Sequence, residues 1–146
     1  MGPGGPLRLG GVEIPHDRAL IGHSDADVLL HAVTDALLGA ASLGDIGQLF
    51  PDTAAENKNR DSSEMLLSVF QQVVATGFSV VNLDCILFAE QPKLAPFSDA
   101  MRRHLAELLE IAPEAVGIKA KTGEGVGPVG KREAISAQCV VLLEGT

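Results

Sequence analysis

The chain has no tryptophan, no tyrosine and only five phenylalanines. A platform of aromatic rings for stacking nucleobases is therefore excluded. Basic residues are also scarce: 11 Lys plus Arg stand against 19 Asp plus Glu, a formal net charge of −8. A broad nucleic-acid surface needs the opposite balance, and so does a basic helix lying on a membrane. No run approaches the roughly 18–20 apolar residues of a membrane span. The opening Met-Gly-Pro-Gly-Gly-Pro lacks a charged segment followed by an apolar one, so it does not read as a secretory signal. The two cysteines, Cys85 and Cys139, each sit inside an apolar run. Buried thiols in a reducing cytoplasm are expected rather than a disulfide framework.

What is present is a 146-residue chain, 46% hydrophobic, which suits one domain over 1–146 with its own core. Leu7 to Ile14 alternates around Gly10-Gly11 and predicts a short strand pair or a bent strand, ended by Pro15. Residues 24–41 predict a helix, with Ser24 as N-cap and Asp25 and Asp27 in its first turn. Gly44 to Thr53 reads as a structured loop and 54–60 as a polar connection. A second helix is expected from about Ser62 to Ala75, opened by Asp61 and stopped by Gly77. Phe78 to Glu90 reads as a strand. A helix from about Ser98 to Glu110, an extra turn at Pro113 and a strand over Val116–Thr122 follow. Gly123 to Gly130 reads as a glycine-rich loop and Ala134 to Leu143 as the last strand. The order predicts an α+β, two-layer domain: one mixed sheet with helices on one face. The other face then needs a cover, and a second copy of the chain is the expected one.

Several motifs bear on chemistry. Gly125-Val126-Gly127-Pro128-Val129-Gly130 matches G-x-G-x-x-G, and with Lys131 it nearly matches a P-loop. Both motifs need a helix after the glycines, whereas an apolar, β-branched run follows here. The loop can still hold a phosphate through backbone N–H groups and Lys131. His23 and Ser24 precede a helix start, which is either a simple cap or an anion site. His31 stands four residues from Asp27 and from Asp35; it is either a structural histidine or a metal ligand backed by a carboxylate. Asp45 and Asp52 flank a loop of Gly, Ile, Phe and Pro. Lys119, Lys121, Thr122 and Glu124 together suit a metal-bound diphosphate, with Thr as donor and Glu as magnesium ligand.

These residues are familiar as a set. His23-Ser24-Asp25-x-Asp27-x-x-x-His31, Thr34-Asp35-Ala36-Leu37-Leu38-Gly39, Leu43-Gly44-Asp45-Ile46-Gly47 and Phe50-Pro51-Asp52-Thr53 resemble the 2-C-methyl-D-erythritol 2,4-cyclodiphosphate synthases. Pro92-Lys93 and Lys119-Ala120-Lys121-Thr122-x-Glu124 recur in matching order. The resemblance implies that 4-diphosphocytidyl-2-C-methyl-D-erythritol 2-phosphate is cyclised with loss of CMP, in isoprenoid biosynthesis by the non-mevalonate route. It implies His23 and Thr122 as transition-state stabilisers, with His23 and Ser24 on a substrate phosphate. Asp45, Ile46 and Gly47 are implied as erythritol contacts, extended by Phe50, Pro51 and Asp52. Ala89, Pro92, Lys93 and Leu94 are implied as the cytidine loop. Lys121, Thr122, Glu124 and Lys131 are implied around the diphosphate. His31 is implied as a zinc ligand and Glu124 as the holder of magnesium or manganese. A cytoplasmic homotrimer is implied, without nucleic-acid or membrane partners. The family's opening strand carries two further zinc ligands, an Asp and a His, that residues 1–6 do not match. The expectation is that this strand lies upstream of Met1 and that the chain without it is a weak or dead enzyme. The alternative is a catalytically silent trimer that binds a cytidine nucleotide or an isoprenoid diphosphate.

Overall fold

The computed structural model describes residues 2–3, 7–16, 18–19, 27–49 and 61–145. Four short strands come first: β1 (Gly2–Pro3), β2 (Leu7–Leu9), β3 (Val12–Ile14) and β4 (Arg18–Ala19). β1 pairs with β4, and β2 pairs with β3, both antiparallel. The closing pair of the second hairpin is Leu9 opposite Val12. Its two turn residues, Gly10 and Gly11, have φ of +59° and +75°. Such a tight turn requires left-handed backbone at both positions, which glycine adopts without strain.

Helix α1 (Val28–Ala40) begins later than the sequence suggests. Its N-cap is Asp27, not Ser24, and Asp27 therefore lies outside the first turn rather than in it. The reason is tertiary. Asp27 is fully buried, and its Oδ1 accepts N–H bonds from Leu30 at 3.0 Å and Gly10 at 2.9 Å. Its Oδ2 accepts the Gly11 N–H at 2.8 Å. One carboxylate thus caps the helix and pins the hairpin turn to it. The helix buries Leu29, Leu30, Val33, Thr34, Leu37 and Leu38, the stripe expected of a 3.6-residue period. The Thr34 hydroxyl donates to the Leu30 carbonyl at 2.7 Å, so its burial leaves that hydroxyl paired.

The stretch after α1 contains a short helix, α2 (Ile46–Leu49), where a structured loop without a helix was expected. Asp45 Oδ1 accepts the Gln48 N–H at 2.9 Å, and Asp35 Oδ1 accepts the Ile46 N–H at 2.7 Å. Helices α3 (Ser62–Ala75) and α4 (Ser98–Leu109) follow the expected bounds, with Asp61 capping α3 through the Ser63 N–H.

The main sheet is three-stranded, in the order β6 (Val116–Lys121), β5 (Phe78–Phe88), β7 (Ser136–Gly145). β5 runs parallel to β6 and antiparallel to β7, so the sheet is mixed and the fold is α+β. The small N-terminal pairs form their own two-stranded sheets instead of joining it. An irregularity between Val80 and Asn82 breaks strict alternation in β5. Leu83, Cys85 and Leu87 then point into one core with the apolar stripes of α1, α3 and α4. The opposite face carries Val140, 74% exposed, and Leu142, 57% exposed. Among the described residues no helix is long and apolar enough to cross a membrane.

Cys85 and Cys139 are directly opposed across β5 and β7 as free thiols, with Sγ–Sγ 3.5 Å. The hydrogen bond to Cys139 and then burial push the Cys85 thiol well above the usual range. Cys85 is therefore expected to stay protonated at pH 9, and the thiolate is the reactive form. Iodoacetamide labelling of the native chain at pH 8–9, roughly the unperturbed thiol range, should leave Cys85 unmodified while denatured chain is labelled fully. Equal labelling rates in the two states would contradict this.

Candidate active site

The parallel pair β5 and β6 brings two loops to the same end of the sheet. The last ladder pair is Phe88 with Lys121, and the Ala89 N–H continues the pattern to the Lys121 carbonyl at 2.9 Å. Ligands of open α/β sheets bind at the carboxyl ends of strands, where loops diverge. Here the loop after β5 runs Glu90-Gln91-Pro92-Lys93-Leu94 into a 3-10 turn (Ala95–Phe97) and α4. The loop after β6 runs through Thr122 to a short helix, α5 (Gly127–Gly130).

Between the loops lies a cleft of about 190 Å³, walled by Ala89, Pro92, Lys93 and Leu94 on one side and Lys121 and Thr122 on the other. Binding sites for whole drug-sized ligands run to roughly 300–1,000 Å³, so this cleft takes one portion of a larger molecule. Ala89 and Leu94 are buried and give its floor apolar character. Lys93 and Lys121 are exposed and place two cations on opposing walls of an otherwise acidic chain. Six residues that the sequence marks for substrate thus meet in one place.

The loop beyond Thr122 is held in an unusual shape. Glu124 has φ +52°, a left-handed conformation that is rare for a side chain of its size. Its N–H donates to Thr122 Oγ1 at 3.2 Å. Gly123 is followed by a close return of the chain: a Cβ there would lie 2.5 Å from the Gly130 nitrogen. The loop expected over 123–130 therefore contains a tight helical turn. Its backbone N–H groups are not all turned outward to an anion, as a phosphate loop requires. Glu90 Oε1 accepts the Gly123 N–H at 3.0 Å and the Gly125 N–H at 3.5 Å. Glu90 was not apparent from the sequence, because its partners lie more than thirty positions away and are backbone groups.

Other expected residues stand elsewhere. Lys119 does not join the diphosphate group; its Nζ binds both Asp84 oxygens, at 2.7 and 2.6 Å, on the sheet. Lys131 is exposed after α5 and does not line the cleft. Asp45, Ile46 and Gly47 lie at the start of α2, also outside the cleft. His23, Ser24, Phe50, Pro51 and Asp52 fall outside the described residues.

His31 is half-buried on α1, and its Nε2 lies 2.8 Å from the Ser62 hydroxyl. Asp27 and Asp35, the carboxylates expected beside it, accept backbone N–H bonds instead. A zinc site with an open position has three protein ligands. Among the described residues no three His, Cys, Asp or Glu side chains converge. They thus offer a zinc ion one nitrogen, and no chemical step follows from zinc here. Glu124 does present the hard oxygen donor that magnesium or manganese takes.

The structure defines a small α+β protein with two lysines across a cleft at the ends of two parallel strands. The model of the YgbB family matches residues 1–144, and the chain belongs to that family. The 2-C-methyl-D-erythritol 2,4-cyclodiphosphate synthase of Chromobacterium violaceum is 58% identical over 140 residues, 96% of this chain and 89% of that protein. The synthase of Rhodopirellula baltica is 53% identical over 143 residues, 98% of this chain and 86% of that protein. A solved 2C-methyl-D-erythritol-2,4-cyclodiphosphate synthase in its CDP-bound form superposes with a TM-score of 0.89 at 37% identity. That match covers 97% of this chain and 92% of the other.

Proposed function

We propose that the chain is a phosphorus–oxygen lyase that converts 4-diphosphocytidyl-2-C-methyl-D-erythritol 2-phosphate to 2-C-methyl-D-erythritol 2,4-cyclodiphosphate and CMP. The observation that carries the reading is the cleft that joins Ala89, Pro92, Lys93 and Leu94 to Lys121 and Thr122. In this reaction the substrate's 2-phosphate oxygen attacks the β-phosphorus, and the bond from that phosphorus to the CMP oxygen breaks. Nucleophile and leaving group belong to one molecule, so the protein's task is to fold it in line and offset charge. The Ala89–Leu94 loop holds the cytidine. Lys93 and Lys121 offset phosphate charge, and the Thr122 hydroxyl donates to an oxygen of the diphosphate. Glu124 is the residue that holds magnesium or manganese. Magnesium or manganese held there would supply Lewis-acid stabilisation of the diphosphate charge. His23 and Ser24 serve the other phosphate, and Asp45 with Ile46 and Gly47 the erythritol hydroxyls, extended by Phe50, Pro51 and Asp52. His31 would offer a zinc ion a single nitrogen, and Lys131, outside the cleft of its own chain, would serve the phosphates from a position beyond it.

Because Asp45 to Gly47 do not line the cleft of their own chain, a neighbouring copy completes each site. A homotrimer packed through the outer sheet face goes with this, since Val140 and Leu142 put an exposed apolar patch on that face. A cytoplasmic location goes with the reading. Purified chain with substrate and Mg²⁺ should release one CMP per cyclic diphosphate formed, followed by ³¹P NMR. Its light-scattering mass should be three times the 15.2 kDa of one chain. Binding of CDP without any CMP release would make it a silent nucleotide-binding homologue and overturn the enzyme.

A further inference from the structure

We infer that Glu90 is a positioning residue: its carboxylate straps the loop that carries Thr122 and Glu124 to the wall that holds the nucleotide. The inference rests on the function proposed above. Glu90 follows Ala89, the last residue tied to β6, so its backbone is fixed at the cleft floor. From there Oε1 reaches the N–H groups of Gly123 and Gly125, on either side of Glu124. The loop has little means of holding itself by side chains. A Cβ at Gly123 would crowd the Gly130 backbone, and one at Gly130 would collide with Gly125. Glu124 and Gly125, at φ +52° and +75°, both lie in left-handed backbone. Glycine takes that conformation freely, but Glu124 does not, and strain of that kind persists only where the surroundings impose it. The Thr122 hydroxyl supplies one restraint from within, and Glu90 supplies the one that comes from the other loop.

The arrangement also assigns the glycine N–H groups a use. In a phosphate loop they converge on the ligand's anion. Here a carboxylate of the chain itself occupies that place, so Gly123 and Gly125 shape the site without holding substrate. Glu90 accordingly links nucleotide binding to the placement of Thr122 and Glu124 against the diphosphate.

The test compares Glu90→Ala and Glu90→Gln with the unaltered trimer, using CMP, CDP and turnover. Glutamine offers an amide oxygen to the same two N–H groups; alanine offers none. Glu90→Ala is expected to lower kcat at least about tenfold, since misplacement near 1 Å can cost about a hundredfold. CMP affinity should stay within about twofold, because the cytidine wall is intact, while CDP should lose most of its advantage over CMP. Glu90→Gln should keep all three values within about threefold. Amide exchange at Gly123 should accelerate in the alanine variant alone. If the alanine variant does not fold, Glu90→Ser takes its place in the comparison. Unchanged kcat and CDP preference in a folded Glu90→Ala overturn the strap. So does a Glu90→Gln as impaired as Glu90→Ala, which would assign the effect to charge. Unaltered chain that binds neither CMP nor CDP overturns the functional reading, and the strap falls with it.

Discussion

Glu124→Gln is expected to lower kcat by about a hundredfold, the usual scale for losing one preorganised electrostatic contact in phosphoryl or acyl transfer. CMP affinity should change by less than about twofold, because the loop proposed to hold the nucleotide is the other one. The exchange removes one charge and little volume, so packing does not enter. It converts a hard anionic donor for magnesium into a neutral one. The Mg²⁺ concentration for half-maximal rate should therefore rise, by about tenfold or more. A second variant separates function from fold. Glu124 sits at φ +52°, where glycine is at ease and glutamate is not. Glu124→Gly should gain up to about 1 kcal/mol of stability while losing turnover, the trade expected of a strained residue kept for its chemistry. Steady-state CMP release and thermal melts read the two effects. Turnover retained in both variants would remove Glu124 from the diphosphate.

Asp27→Ala is expected to be strongly destabilising although it touches no ligand, at about 3–5 kcal/mol. The helix cap alone is worth about 1 kcal/mol. Two further bonds to a carboxylate are lost, and the Gly10 N–H is left in the interior without this acceptor. Asp27→Asn keeps one acceptor oxygen and should cost less, about 1–2 kcal/mol. Urea unfolding at one fixed protein concentration measures both, since an oligomer's apparent stability depends on that concentration. A loss under about 1 kcal/mol for the alanine variant would mean that water replaces the carboxylate at the hairpin turn.

The contrast between these two residues explains what was legible in the sequence. Thr122-x-Glu124 and the Pro92-Lys93 loop carry local patterns, and the parallel pairing of β5 with β6 brings Thr122 and that loop to one cleft. Helices α3 and α4 were legible because Asp61, Gly77 and regular apolar spacing mark them locally. Asp27 was legible as an acidic residue near a helix start but not as its cap. Ser24, Asp25 and Asp27 all suit that role, and bonds from Gly10 and Gly11, far back in the chain, decide among them. Helix α2 was hidden for a similar reason. Gly44 and Gly47 read as breakers, while its start is held by a carboxylate from α1. Glu90 leaves no mark at all, because a side chain that serves distant backbone N–H groups has no partner visible by residue type.

The parallel ladder between β5 and β6 is also a ruler. It sets Ala89 and Thr122 level by counting residues from Leu83 opposite Val116 to Phe88 opposite Lys121. Each residue advances a strand by about 3.3 Å and turns the side chain to the opposite face. Removing one residue from β6 therefore draws Thr122 back by several times the displacement that catalysis tolerates and reverses its direction. Within this pair of strands, then, a count of peptide bonds sets where the two loops stand relative to each other.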